Sequence, residues 1–288
     1  MDSPSAKADR SAWPLAARAS LSPGLRSLYA SVQALPVLGR LARRLAASAL
    51  PRGCRVWIQP RAGLAQGLWL NVDPRFELDY AQGTYETATQ MALAEQLRKG
   101  GSFYDVGGHI GFISLIAARL VGKSGAVFTF EPDPENAGRI GEQVLRNGFF
   151  TQISVFPLAV WSRSGTFRFQ RAAELSSHNQ GAVVGAGSEA ADSGTIEVNA
   201  LSLDEFAESH RSPTLVKIDV EGGEVEVLRG AEQLLSKARP TLICEVHDRG
   251  STEFIEAHLA EKQYSLRWLT RESGFPRHLL AEPVRKSN

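Results

Sequence analysis

Cysteine is almost absent: Cys54 and Cys244 are the only two in 288 residues. Neither sits at a spacing that a zinc site or a disulfide framework needs. Cys244, inside the apolar run TLICEV, reads as a buried thiol. Charge of one sign is equally scarce, since 32 Lys and Arg offset 31 Asp and Glu and leave a formal net charge of +1. No global field therefore draws the chain to nucleic acid or to an anionic membrane. No uncharged apolar run reaches the roughly 18 to 20 residues of a membrane span, and Arg18 breaks the one stretch that resembles a secretory core. A reducing, cytoplasmic setting is expected. Also missing is a Tyr-x-x-x-Lys pair, because none of the five tyrosines has a lysine four residues on. That absence speaks against an oxidoreductase of the short-chain type.

What is present divides near residue 80. The first fifty residues lean basic, with Arg26, Arg40, Arg43 and Arg44 among their cations and only Asp2 and Asp9 opposing. Leu25, Leu28, Val32 and Leu35 recur at helical spacing until Pro36, and Leu38, Leu41 and Leu45 resume it. The favoured reading is a helical lid on the main domain; contact with a membrane surface or a partner is the second. RVWIQ and GLWLNV then alternate as a hairpin cover. Residues 1–80 are thus expected to form a helical segment and hairpin cover, and residues 81–288 the main domain. YETATQMALAEQLRKG predicts a helix with Met91, Leu93, Ala94 and Leu97 as its apolar positions.

From residue 102 the texture becomes βαβ. SFYDV leads to a helix over 110–121, AVFTFE to a helix over 134–147 that opens on Pro134 and stops at Gly148. ISVFPLAV follows as a third strand. TFRFQ and TIEVNALS flank a long Ala, Gly and Ser-rich loop, residues 171–194, of the kind that is usually functional or disordered. TLVKIDV, a helix over 223–237, PTLICEVH, a helix over 251–262, YSLRWL and a closing RHLLAE complete the pattern. Strands alternating with helices predict a doubly wound, mostly parallel α/β sheet with right-handed crossovers. Its ligand belongs beyond the carboxyl ends of the strands, at the switch point.

Acids stand at those strand ends: Asp105 after the first, Glu131 after the second, Asp219 and Glu221 after the fourth, Glu245 with His247 after the fifth. The turn DVGGHIG, with Gly107, Gly108 and Gly111, runs from the first strand into a helix. A carboxylate at that exit repels a pyrophosphate. It suits S-adenosylmethionine, which carries a sulfonium, an ammonium and ribose hydroxyls that Glu131 can grip. Alternate residues of a strand share a face. Lys217, Asp219 and Glu221 therefore point one way, and Glu245 and His247 do so on the neighbouring strand. These groups should converge at one rim, as a general base for a hydroxyl or as a divalent-metal site. No dedicated metal loop is present, so no required metal is expected. Lys217, in an otherwise buried strand, needs a partner such as Asp219 or Glu245.

GTYE, DVGGHIG, FEPDPEN, PLAV, SLDEF, VKIDVEGGEVEVLRGA and PTLICEVH, in this order over about residues 83–247, resemble the FkbM family of class I S-adenosylmethionine-dependent methyltransferases. The resemblance implies that Asp105, Gly107, Gly108 and Gly111 hold the methionine end of the cofactor. It places Tyr85 and Glu86 over the cofactor and Ala159 beside the adenine. The family usually has Ala-Asn where this chain has Gly108-His109, so His109 is the expected replacement contact. The implied acceptor is a small molecule, a sugar or natural-product intermediate with a hydroxyl. Asp219 is the best-placed acid for the chemistry, with His247 and Glu245 beside it. A nucleotide-dependent oxidoreductase on the same fold and a non-catalytic module that keeps the cofactor pocket are the alternatives. The sequence leaves the oligomeric state, including a homo-oligomer, open.

Overall fold

The computed structural model describes residues 53–171, 181–184, 194–270 and 274–284. The basic N-terminal helices, and most of the 171–194 loop, lie outside the described residues. Two compact units emerge: residues 1–55 with Asp73–Arg75, and Val56–Val72 with residues 76–288. In the first, Arg75 pairs with Asp73 at 2.6 Å.

The second unit begins with a hairpin, β1 (Val56–Ile58) against β2 (Leu70–Val72). The main sheet then starts with β3 (Ser102–Val106), which is buried at every residue, and is followed by α2 (Phe112–Val121). The helix before it, α1, covers Thr87–Gln96. β4 (Ala126–Phe130), α3 (Pro134–Asn147) and β5 (Ile153–Phe156) extend the sheet on one side of β3. On the other side lie β10 (Leu215–Ile218), β11 (Thr241–Val246) and a terminal pair, β12 (Tyr264–Trp268) and β13 (Arg277–Pro283). Among the described residues the order is β12-β13-β11-β10-β3-β4-β5. The five central strands run parallel, and β13 is antiparallel to both of its neighbours. The chain reverses between β3 and β10, so the cleft beyond their carboxyl ends is the switch point of this doubly wound sheet.

Helix α3 shows why its sequence bounds were readable. The Asp133 side chain accepts hydrogen bonds from the backbone N–H groups of Glu135 and Asn136, Pro134 sits at the first position, and Gly148 ends the helix in the left-handed region. The same helix anchors the hairpin. Asn147 Oδ1 accepts from Trp69 N at 2.8 Å, Gln143 Oε1 from Asn71 N at 3.1 Å, and Arg139 Nη2 donates to Asn71 O at 2.8 Å. The hairpin therefore belongs to the larger unit, rather than with the residues before it.

Four expectations change. The segment over 153–160 is two strands, because Pro157 has no N–H for a ladder. After it, β6 (Ala159–Val160) joins a separate sheet of order β6-β9-β7-β8, with β7 (Gly165–Gln170), β8 (Ala182–Val184) and β9 (Thr195–Leu201). The helix over 223–237 is also two, α5 (Glu224–Arg229) and α6 (Glu232–Lys237). Gly230 lies so close to Trp161 that an added Cβ would be 2.2 Å from its carbonyl oxygen. The Asp204 carboxylate, from α4 (Leu203–Ser209), caps the second piece by accepting from Gln233 N and Leu234 N. In α1, Met91 is exposed, as is Ala94, while Thr89 and Gln90 are buried. Gln90 Nε2 turns inward to donate to Gly83 O and Tyr85 O. Lastly, β13 inserts between β11 and β12 instead of closing the edge. α7 (Arg249–Glu261) packs against β12 and α5. Among the described residues, no helix is long and apolar enough to cross a membrane.

Candidate active site

The turn after β3 closes on itself. Gly107, at φ +83, packs so tightly that an added Cβ would fall 1.8 Å from the carbonyl oxygen of Asp219. The Gly107 and Gly108 amides both donate to Phe130 O, at 3.1 and 2.9 Å, and Gly111 N donates to Gly108 O at 2.7 Å. His109, also in the left-handed region at φ 49, donates its amide to Glu131 Oε2 at 2.8 Å. A dinucleotide site aims such amides at a pyrophosphate; here they are engaged within the protein.

Glu131 is the result of that arrangement. Its second oxygen accepts from Asp133 N at 2.9 Å, so two backbone donors hold the carboxyl in one orientation at the mouth of the turn. Burial pushes it up to about 8, and the two N–H donors only partly oppose this.

A solvent-open cleft of about 840 Å³ spreads over these strand ends. One end is apolar, formed by Phe130, Leu158, Ala159 and Trp161. The middle holds Gly107, Gly108, His109 and Glu131. Tyr80, Tyr85 and Phe112 form an aromatic wall, with the Tyr80 and Tyr85 rings 4.3 Å apart. Tyr80 OH lies 3.3 Å from His109 Nδ1. The charged end carries Glu86, Lys217, Asp219 and Glu221.

Asp105, which the resemblance assigns to the methionine end of the cofactor, lies in β3. It does not line the cleft; it is fully buried beneath the turn, where Ser114 Oγ donates to its Oδ2. Burial pushes its carboxyl up, with Lys217 opposing. Gly111 also stays off the cleft wall, since it starts α2 against Ile140.

The fourth and fifth strand ends do converge. Lys217 Nζ lies 2.7 Å from Asp219 Oδ2, which supplies the partner this buried ammonium needs. Burial favours a neutral Asp219, yet the ammonium outweighs it and holds the carboxyl below its usual range. His247 Nδ1 lies 2.5 Å from Glu224 Oε1, while Nε2 lies 3.4 Å from Glu221 and 3.8 Å from Glu245. Burial pulls the imidazole down, but the Glu224 hydrogen bond and the Glu221 charge push it up to about 9. On the far side of Glu245, His278 Nε2 lies 3.1 Å from Oε2. Glu86, at φ 46, presents its carboxyl to this same group, and burial pushes it up to about 7.

Tyr80, Trp161, Glu224 and His278 were not among the sequence candidates. Glu224 had a readable signal, one helical turn beyond Glu221 in VEGGEVEV. The others reach the site through the 3₁₀ turn over Leu78–Gln82, the second sheet and the inserted β13, and no local pattern announces them.

The methyltransferase FkbM domain model matches residues 105–266, more than half of the chain. The chain belongs to the FkbM methyltransferase family. A curated relative, the hexuronic acid methyltransferase AglP of Haloferax volcanii, is 28% identical over 189 residues, spanning 64% of this chain and 72% of that protein. Among solved structures, the methyltransferase FkbM from Methylobacillus flagellatus aligns with a TM-score of 0.47 at 15% identity, covering 73% of this chain. The chain spans about half of that structure, 51%. An O-methyltransferase from Thermotoga maritima aligns with a TM-score of 0.43 at 11% identity, over 71% of this chain and 67% of its own. Family membership makes methyl transfer the chemistry to be explained on this cleft.

Proposed function

We propose that the protein transfers the methyl group of S-adenosylmethionine to an oxygen, most simply a hydroxyl, of a small sugar-type molecule. The observation that carries the cofactor assignment is Glu131. It is a carboxyl with two fixed backbone donors behind it, beside a turn whose amides are turned away from any phosphate. Such a group suits the paired hydroxyls of a ribose. Phe130, Leu158 and Trp161 then flank the adenine, and His109 with Tyr85 and Glu86 stands toward the methionine portion. When bound, the cofactor supplies an electrophilic methyl on a sulfonium. Lys217, Asp219 and Glu221 take the acceptor side.

The residues of the chain then have separable tasks. The cleft walls align donor and acceptor and exclude water, which is the larger part of catalysis in a displacement of this kind. Asp219 accepts the hydrogen bond of the acceptor hydroxyl and assists removal of its proton. His247, held by Glu224, faces the carboxylates of Glu221 and Glu245 and keeps them in place. The name of the Haloferax volcanii relative supports a sugar-type acceptor. Incubation with methyl-labelled S-adenosylmethionine and a panel of uronic acids, neutral sugars and simple phenols tests the reading. Label retained in a methyl ether or ester supports it, and label that never leaves the cofactor over the whole panel counts against it.

A further inference from the structure

We propose that Asp219, Glu221, Glu245 and His247 form a site for one divalent cation of the Mn²⁺ or Mg²⁺ class, at the acceptor end of the cleft. β10 and β11 are parallel neighbours with Ile218 beside Cys244, so the residues that leave these strands, Asp219 and Glu245, come out side by side. Ligand atoms of Asp219, Glu245 and His247 lie within 4.8 Å of one another. Glu221 brings a third carboxylate, 3.4 Å from His247 Nε2.

The decisive feature is the histidine. Its Nδ1 is held at 2.5 Å by Glu224 Oε1, from a carboxylate that is 0% exposed. Gly222 N donates to the same oxygen at 3.0 Å and fixes the carboxylate in turn. A proton held on Nδ1 leaves Nε2 as the coordinating atom, and Nε2 is the nitrogen that faces Glu221 and Glu245. A carboxylate behind the imidazole, opposite the coordinating nitrogen, is the recurrent outer support of a metal-bound histidine. Lys217 occupies Oδ2 of Asp219 and leaves Oδ1 for a ligand. The donors are oxygen-rich with one imidazole, which suits Mn²⁺ or Mg²⁺ better than a thiolate-preferring ion.

A second group, Glu86, Glu245 and His278, shares Glu245. It lacks the outer support: among the described residues His278 Nδ1 has no hydrogen-bond partner. The cation is therefore assigned to the His247 side.

The role of the cation rests on the methyltransferase reading; its binding does not. Bound there, it polarises the acceptor hydroxyl. The hydroxyl proton leaves by way of Asp219 to water, the oxygen takes the methyl, the carbon–sulfur bond breaks and the cofactor departs as a thioether. The cation is unchanged.

The test is Mn²⁺ binding by the full chain, first stripped with a chelator, with free Mn²⁺ followed by electron paramagnetic resonance. Saturable binding of one Mn²⁺ per chain is expected. His247→Ala and Glu245→Gln should each weaken it at least about tenfold, and Glu224→Gln by about tenfold, the usual effect of losing an outer support. His278→Ala, which touches Glu245 only from its far side, should weaken it less than His247→Ala. Melting curves on the same samples identify any variant that fails to fold. No saturable binding by folded wild-type protein overturns the proposal, as does a larger loss with His278→Ala than with His247→Ala. S-adenosylhomocysteine binding is measured alongside; its failure with Mn²⁺ binding intact counts against the methyl-donor reading alone.

Discussion

Lys217 and Asp219 leave β10 two residues apart, and the ammonium nitrogen lies 2.7 Å from the carboxylate. Both side chains are largely buried, at 4% and 13% exposure, and both line the cleft. Asp219→Asn keeps the shape and removes the charge. Turnover should fall about 10²- to 10⁴-fold, the scale of a lost proton-transfer group, with S-adenosylhomocysteine affinity within a few-fold. Lys217 is left poorly paired, so stability should also drop by roughly 1 to 3 kcal/mol. Turnover is compared per folded molecule, from melting and rate measured on one preparation. Normal turnover in a destabilised variant would reduce Asp219 to a structural partner of Lys217.

Glu131 gives the sharpest effect on cofactor affinity. Glu131→Ala should weaken S-adenosylhomocysteine binding by roughly 1 to 3 kcal/mol, the cost of leaving the ribose hydroxyls without their partner. Isothermal calorimetry reads this directly, and unchanged affinity would remove Glu131 from the site.

The same carboxyl makes stability depend on pH. Its folded-state value, pushed up to about 8 by burial, lies above that of the unfolded chain. The proton is held more tightly in the folded protein, so the contribution to stability is full below about pH 4.3 and is lost as pH rises through about 8. The slope cannot exceed about 1.4 kcal/mol per pH unit for one group. Urea unfolding at steps across this window should show the decline, and Glu131→Gln should flatten it. An unchanged slope in that variant would assign the decline to other groups.

How much of this was legible in the sequence depended on whether the cause was local. Asp133, Pro134 and Gly148 carry both ends of α3 in their own chemistry, and the bounds 134–147 hold without change. The buried strand SFYDV and the turn after it are equally self-contained. Gly230 looked like an ordinary helical glycine because its constraint is the Trp161 carbonyl, far along the chain. Met91 looked like a core residue because the pull on α1 comes from Gln90, whose amide reaches back to Gly83 and Tyr85. In the site, period-two alternation sufficed to bring Asp219, Glu245 and His247 together. Tyr80 and His278 depended on tertiary placement that no short motif encodes. Asp105 was correctly placed at the strand end, but its partner Ser114 lies on the next helix and draws the side chain inward.

A buried ion pair outside the cleft offers an independent check on the packing. Arg139 and Glu77 are 2% and 3% exposed, with Nη2 to Oε2 at 2.5 Å, and the same guanidinium holds Asn71 O of the hairpin. Glu77→Ala strands the guanidinium and should cost about 3 to 5 kcal/mol. Chemical denaturation measures it; a loss under about 1 kcal/mol, the range of an exposed pair, would contradict the buried geometry.

We assign the cleft over β3 and β10 to S-adenosylmethionine rather than to a dinucleotide. The most direct measurement is a calorimetric titration of the purified chain with S-adenosylhomocysteine, and in parallel with oxidised and reduced nicotinamide dinucleotide. The structure predicts saturable binding of one S-adenosylhomocysteine per chain, abolished or strongly weakened in Glu131→Ala, and no saturable binding of either dinucleotide. Binding of a dinucleotide in the absence of S-adenosylhomocysteine binding would contradict it.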